Sequence, residues 1–341
     1  MKKKRNYRAT MKDVATRAGV TIGTVSHVIN HTAPISDETT KRVLEAISEL
    51  HYVPNTMARN MRSKTNHRVG LMIPNLNNNY HARIASTFVD LADRNQYIVY
   101  IMGYEYSLER ELKELQSLMA YNVGTIVIVN GCGEEDYIRE LVDRGVDVIL
   151  ADRHADMEGV SYVEFENRSI YRQTVHMLKE KGYRSIGFIS EPLVLTNLQD
   201  RFEGYREGLL ENGYEFREDH IFISERLCLD NTRNGYLYMK ELLEQRKREE
   251  LPDAFIMTSD LLAIGVLRAV IEAGYQVPRD FGLIGCDNLQ ISGYMQPRLT
   301  TIMQDREQLC HELWNMILAK DHGEKVDNIV LPQSLVIRES C

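Results

Sequence analysis

The chain of 341 residues is 43 % apolar and 26 % charged, the balance of a soluble globular protein, and it is too long for one ordinary hydrophobic core. Its five cysteines are scattered and form no C-x-x-C pair, which argues against a disulfide framework or a zinc site and fits a reducing cytoplasm. The opening MKKKRNYRAT lacks the apolar core of a signal peptide, and no apolar run approaches the roughly 18 residues of a membrane span.

The net charge of −8 hides an asymmetry: residues 1–68 hold 13 Lys and Arg against 5 Asp and Glu, and the rest hold 28 against 44. A basic head on an acidic body points to a polyanion as the head's partner, although a merely solvated basic tail would have the same composition. Nucleic acid becomes the leading partner only if a reading element is present.

Three helical signals fall within residues 10–51. In the first, Thr10 can cap, Asp13 sits in the first turn, and Met11, Val14, Ala15 and Ala18 repeat at helical spacing before Gly19. The second, TIGTVSHVIN, starts at Thr21 and sets Val25, Val28 and Ile29 on one face. Gly23 in its first turn costs about 1 kcal/mol relative to alanine. The third is capped by Ser36 and carries Val43, Ile47 and Leu50 on one stripe. Helix, glycine turn, helix and supporting helix make the helix-turn-helix plan, whose second helix enters the major groove.

MKDVATRAGVTIGTVSHVIN and ISDETTKRVLEAISELHYVPNTMARNM closely resemble the headpiece of the LacI–GalR (lactose/galactose repressor) family. The resemblance implies that Ile22, Gly23 and His27 face bases and that Thr21, Thr24, Ser26 and Asn30 mostly position the backbone. A histidine ring can donate to a guanine or thymine edge, and an apolar side chain can meet a thymine methyl. Pattern alone leaves Ile22 open, because it lies three residues before Val25 and could equally face the core. PNTMARNMRSKTN resembles the family's hinge, which orders on operator DNA and wedges an apolar side chain into the minor groove. Met61 takes the wedge position where leucine is usual, and Arg59, Arg62 and Lys64 would follow phosphates. A charged linker that never folds remains the alternative. The expected boundaries are a basic arm at 1–9, a DNA-binding domain at 10–56 and a hinge at 57–66.

From residue 69 onward, VGLMI, YIVYIM, TIVIV and VDVIL read as buried parallel strands, and SIGFIS, HIFIS, DAFIMTSD and FGLIGCD form a second series. Two consecutive βαβα series imply two doubly wound sheets with a cleft outside the carboxyl ends of their strands. The residues after the strands are polar: PNLNNNYH (74–81), ADRH (151–154), SEPLVLTNLQDR (190–201), TSD (258–260) and GCDN (285–288). Such a lining suits a small ligand rich in hydroxyls or carrying a carboxylate. Asp260 reads equally well as a helix cap.

GYRSIGFIS, DRFEGYREGL, DLLAIGVLRA, GYQVPRDFGLIGCDN and PRLTTIMQ extend the resemblance to the family's effector domain, related to periplasmic sugar-binding proteins. By resemblance, Arg201 and Asp287 match the ligand-binding arginine and aspartate. Tyr80 and His81 match an aromatic pair in which phenylalanine is frequent at the second position. Asn197, Asp152 and Arg153 fall at further contact positions, and Leu195 stands where the purine-binding member has arginine. The expected fold is an all-α helix-turn-helix headpiece plus an α/β periplasmic-binding-protein-like effector domain of two doubly wound subdomains. The subdomains are expected at 67–166 with 302–325, and at 167–301 with 326–341.

An oxidoreductase reading of TIVIVNGCGEED is weak, because the third glycine is missing and Glu134, Glu135 and Asp136 would repel a pyrophosphate. No H-E-x-x-H motif occurs among the ten histidines, and CHELW (310–314) reads as an exposed helix turn. The expected function is a DNA-binding regulator, a repressor, of a carbohydrate uptake or catabolism operon. It would act as a homodimer on a pseudo-palindromic operator and respond to a small carbohydrate-like effector. No catalytic residue, cofactor, metal or membrane partner is expected. A family member governed mainly by a phosphorylated carrier protein is the alternative.

Overall fold

The structure, a computed structural model, describes residues 9–30, 32–52, 66–131, 135–228 and 231–341. The chain divides into two compact units, Met1–Asn66 and His67–Cys341. Arg59, Met61 and the rest of the expected hinge up to residue 65 lie outside the described residues, as does the basic arm up to residue 8.

In the first unit α1 (Met11–Ala18) begins at a capping box, in which Thr10 accepts from the Asp13 amide and Asp13 accepts from the Thr10 amide. Gly19, at φ 65°, closes the helix in the left-handed region. In α2 (Ile22–Asn30) the Thr21 hydroxyl accepts from the Thr24 amide at 3.1 Å. Ser36 caps α3 (Asp37–Glu49) by accepting from the Thr39 amide. Val14, Ala15, Ala18, Val25, Val28, Val43 and Ala46 close a core against Tyr52, with Ile29, Ile47 and Leu50 packed around it.

The second unit holds two six-stranded sheets. The first contains β1 (Arg68–Ile73), β2 (Ile98–Gly103), β3 (Thr125–Val129), β4 (Asp147–Ala151), β5 (Val160–Phe165) and β11 (Ile329–Leu331), all parallel, in the order β11-β5-β4-β3-β1-β2. In the second sheet lie β6 (Ile186–Ser190), β7 (Ile221–Ile223), β8 (Ala254–Met257), β9 (Gly282–Cys286), β10 (Thr300–Met303) and β12 (Ser334–Val336), ordered β12-β10-β9-β8-β6-β7. Only the β10–β12 pair there is antiparallel. The strand order reverses beside β1 in the first sheet and beside β6 in the second, so each sheet has a switch point.

Helices α4 (Asn79–Arg94), α5 (Leu108–Ala120) and α6 (Glu135–Asp143) connect strands of the first sheet. The second sheet has α7 (Asn167–Glu180), α8 (Thr196–Glu211), α9 (Asn231–Gln245) and α10 (Asp260–Glu272). The last helix, α11 (Arg306–Asp321), follows β10 yet packs its Leu309, Leu313, Trp314 and Ile317 into the first lobe.

Two expected boundaries therefore move. Ile302 pairs with Cys286 and Leu335 in the second sheet, so the return to the first lobe comes after Met303 rather than before Ile302. The stretch 326–341 is divided between lobes, because Ile329–Leu331 adds to the edge of β5 and only Ser334–Val336 reaches the second sheet. A strand of three residues is fixed by the edge that pairs with it, which local sequence does not specify. CHELW is not an exposed turn either: Cys310, Leu313 and Trp314 are buried, and the Trp314 ring meets Phe88 and Tyr97 edge-on.

The second lobe depends on two close helix contacts. A Cβ on Gly204 of α8 would strike the Arg168 carbonyl of α7, and one on Gly265 of α10 would strike the Thr232 carbonyl of α9. Both obstacles are backbone, so a methyl can be admitted only by parting the helices. Gly204→Ala should destabilise the second unit by about 1–3 kcal/mol, read as a lower urea midpoint; an unchanged midpoint would show that α7 and α8 can separate freely.

Candidate functional site

The exposed side of α2 is the first candidate. Val25 and Val28 are buried, whereas Ile22 is 48 % exposed and Gly23 and His27 also face outward. Ile22 therefore lies on the side away from the core, the question its spacing left open. A Cβ on Gly23 would meet only Thr21 Oγ1, at 3.6 Å, so packing within the unit does not demand glycine there. His27 Nδ1 lies 2.9 Å from Thr32 Oγ1, which orients the ring and leaves Nε2 for an outside partner. The Thr21 and Thr24 hydroxyls are 3.0 Å apart and serve the cap, and Ser26 is half-buried. Asn30 ends the helix, but its side chain lies outside the description.

The second candidate is a cavity of about 420 Å³ between the two lobes of the second unit, at the carboxyl ends of their strands. After β1, Asn78 caps α4 by accepting from the Tyr80 amide at 2.9 Å, and so places Tyr80 and His81 at the cavity wall. Asp152 follows β4 and Asp287 follows β9, with φ of 60° and 112°. Asn197 and Arg201 stand one turn apart on α8 and share a face. These six expected residues meet in one place, as does Leu195. Arg153 does not: it is buried beside the wall, its Nη2 3.1 Å and Glu111 Oε1 3.2 Å from where a Cβ on Gly131 would stand. Asp260 is likewise no wall; it accepts from the Leu289 amide, Ser292 Oγ and Thr301 Oγ1 and ties three segments of the second lobe together.

Several wall residues were not singled out from sequence: Tyr106, Asn130, Glu191, Glu225, Cys228 and Thr258. Tyr106 and Asn130 follow β2 and β3, so the rule about strand ends, applied to every strand, would have found them. Glu191 and Thr258 lie within quoted stretches, but nothing distinguishes them there. Backbone conformation does mark part of the wall, since Tyr106 and Asn130 adopt φ of 54° and 61°.

Arg201, 4 % exposed, is held by Nε donating to Asn167 Oδ1 at 2.9 Å and Nη1 donating to the Thr258 carbonyl at 2.8 Å. The rest of its guanidinium borders the cavity. Burial pushes the Asp287 carboxyl well above its usual range, with Asp260 adding to the shift and Arg201 opposing it. Burial also raises Asp152, against the pull of Arg201 and of Gln304, whose Nε2 donates to Asp152 Oδ1 at 3.2 Å. The Tyr80 hydroxyl, buried in the wall, lies beside the Asp152 carboxyl and helps to hold it down. Arg306 lies over the Tyr80 ring, 5.5 Å from its centre.

Burial depresses His81 from 6.5 to about 4, partly countered by its bond to the Asn75 carbonyl. A carbonyl only accepts, so Nδ1 carries the proton and Nε2 is an acceptor at neutral pH. The folded chain resists protonation while the unfolded chain accepts it. Stability present above pH 6.5 should therefore fall as pH drops towards 4, by about 3 kcal/mol from this residue. Urea titrations near pH 7 and about pH 4.5 should show a smaller loss for His81→Phe than for the parent; equal losses would mean that His81 protonates without cost.

Residues 10–55 match the family described as "Bacterial regulatory proteins, lacI family", and residues 175–341 match a periplasmic binding protein-like domain. The HTH-type transcriptional repressor PurR of Glaesserella parasuis serovar 5 (strain SH0165) is 30 % identical over 341 residues, covering 97 % of this chain and 98 % of that protein. Among solved structures, the Lac repressor dimer bound to operator and the anti-inducer ONPF superposes with a TM-score of 0.82 at 26 % identity, over 98 % of this chain and 99 % of that one. A complex of the transcriptional regulator CelR with cellobiose gives 0.71 at 27 % identity, over 98 % and 100 %. With an outward-facing second helix in its head and two lobes closing on one polar cavity, the chain belongs to the LacI family of bacterial transcriptional regulators.

Proposed function

We propose that this regulator is a homodimeric repressor of a carbohydrate uptake or catabolism operon, released from or held on its operator by a small sugar-like effector in the cleft. One observation carries the effector reading: a buried guanidinium, two buried carboxyls, an amide and a buried phenol converge on one cavity at the strand ends. Such a site selects a ligand with many hydroxyls, because each unmatched polar group would stay buried and unpaired. The complex of CelR with cellobiose supports a sugar, and apolar Leu195 in the wall offers no hydrogen bond to a nucleobase.

On the DNA side, Ile22, Gly23 and His27 are the proposed base readers, with Thr21, Thr24, Ser26 and Asn30 positioning the helix and Arg59 and Met61 acting in the hinge. A two-fold protein requires a two-fold site, and the dimeric Lac repressor bound to its operator supports that arrangement here. The effector acts only through a difference in its affinity for the DNA-bound and free conformations.

Arg201→Ala should weaken effector binding by about a hundredfold or more and abolish the ligand response, while operator binding stays nearly intact. A thermal-shift screen of sugars, polyols and nucleobases finds the ligand, and a gel shift then reads both functions; loss of operator binding would contradict the role given to Arg201. Removing residues 1–66 should leave a dimer that still binds ligand, measured by sedimentation and calorimetry, and an unfolded or monomeric product would refute the division of labour.

A further inference from the structure

One turn in the cavity wall is held in a strained backbone conformation. The Gly131 amide donates to the Val129 carbonyl at 2.8 Å and closes three residues around Asn130, whose φ is 61°. A three-residue turn with positive φ at its centre is the rare and strained hand of the γ-turn. Asparagine tolerates positive φ better than most residues, yet such strain persists only where neighbouring structure dictates it. The turn bears on the site because Asn130 lines the cavity where the lobes meet. Its Oδ1 accepts from Asn197 Nδ2 of α8 at 3.4 Å.

Two supports hold the turn. The Asn130 amide donates to the Ala151 carbonyl at 3.0 Å and so extends the pairing of β3 with β4. The second support is Tyr104, fully buried just after β2. Its hydroxyl donates to the Val129 carbonyl at 2.9 Å and accepts from the Gly131 amide at 2.8 Å, which binds both ends of the turn. Tyr104 is itself fixed. Its amide donates to the Ile73 carbonyl at 3.2 Å, and its ring meets that of Tyr106 edge-on, 6.3 Å away. One side chain thus ties together the ends of β1, β2 and β3. It does not line the cavity, and it belongs to an apolar core with Met72, Leu115 and Ile128 that a phenylalanine would fill as well. Only the hydroxyl reaches the turn.

We propose that Tyr104 is a positioning residue of the effector site, whose hydroxyl holds the turn at Asn130 so that the Asn130 side chain faces the ligand and Asn197. The proposal rests on the cavity being the effector site and adds what keeps its first-lobe wall in shape. Without the hydroxyl, the Val129 carbonyl and the Gly131 amide each lose a buried partner, the turn relaxes, and Asn130 leaves the wall.

A thermal-shift panel of mono- and disaccharides, polyols and nucleobases, cellobiose among them, supplies the tightest binder. Calorimetry on the full chain then measures the affinity of that compound for the parent, Tyr104→Phe, Asn130→Gly and the double variant. Tyr104→Phe should weaken binding about tenfold, and Asn130→Gly at least as much. In the double variant the tyrosine substitution should cost no further affinity, because glycine takes positive φ freely and has no side chain to place. A tyrosine that merely supports the fold would lower the urea midpoint and leave affinity unchanged, and that result would overturn the proposal. Two losses that multiply in the double variant would overturn it too. Should Tyr104→Phe fail to fold, Asn130→Gly alone still decides: a tenfold loss supports the proposal, and an affinity equal to the parent's leaves the hydroxyl nothing to position. Failure of the whole panel to bind would instead overturn the assignment of the cleft, and the role of Tyr104 with it.

Discussion

A guanidinium as buried as that of Arg201 must be compensated, and the second unit is arranged around that requirement. Its anchors come from separate elements: Asn167 at the start of α7, the Thr258 carbonyl after β8, and the carboxyls of Asp152 and Asp287 from opposite lobes. The compensation is incomplete, because burial still drives both carboxyls upward. A ligand presenting hydroxyl donors to those carboxyls and acceptors to the arginine would complete it. The lobes therefore have an energetic reason to adjust when the cavity fills, which is the differential affinity a regulator needs.

The same region stores backbone strain. Tyr106, Asn130, Asp152, Asp287 and Asn288 all adopt positive φ, and all follow strands that end at the cavity. Each such conformation costs on the order of 1–3 kcal/mol in a non-glycine residue and persists only where surrounding structure dictates it. Four of these residues, Tyr106, Asn130, Asp152 and Asp287, line the cavity, whereas the Asn288 side chain accepts from Arg338 instead. The sheets supply the rigidity, with fully buried strands such as Thr125–Val129 and Ala254–Met257 behind the strained turns.

The head works by a different logic. Its core is made of small and branched side chains, and α2 gives Val25 and Val28 to that core while leaving Ile22, Gly23 and His27 outside. Gly23 meets no close neighbour within the unit, so packing inside the head gives no return for its cost in helix propensity. Thr32 holds His27 from the following turn, an interaction that orients the ring without burying it.

Much of this was readable along the chain. Capping residues, helical stripes and branched runs act over a few positions, so α1 to α3 and eight of the twelve strands appear in the sequence close to where the structure has them. Strands β5 and β10 are not read as strands from the pattern, and β11 and β12 are three residues each and exist by virtue of the edges they join. Family resemblance pointed to Tyr80, His81, Asn197, Arg201, Asp152 and Asp287 as neighbours. It also pointed to Arg153, which the fold turns behind Gly131, and it gave no weight to Glu191, Glu225 or Tyr106. Side-chain chemistry and short-range spacing are enough to give the local elements, the basic head and the polar character of the strand ends. Which carboxyls gather around Arg201 depends on distances between segments far apart in the chain, so it follows from the packing of the two lobes and not from local pattern.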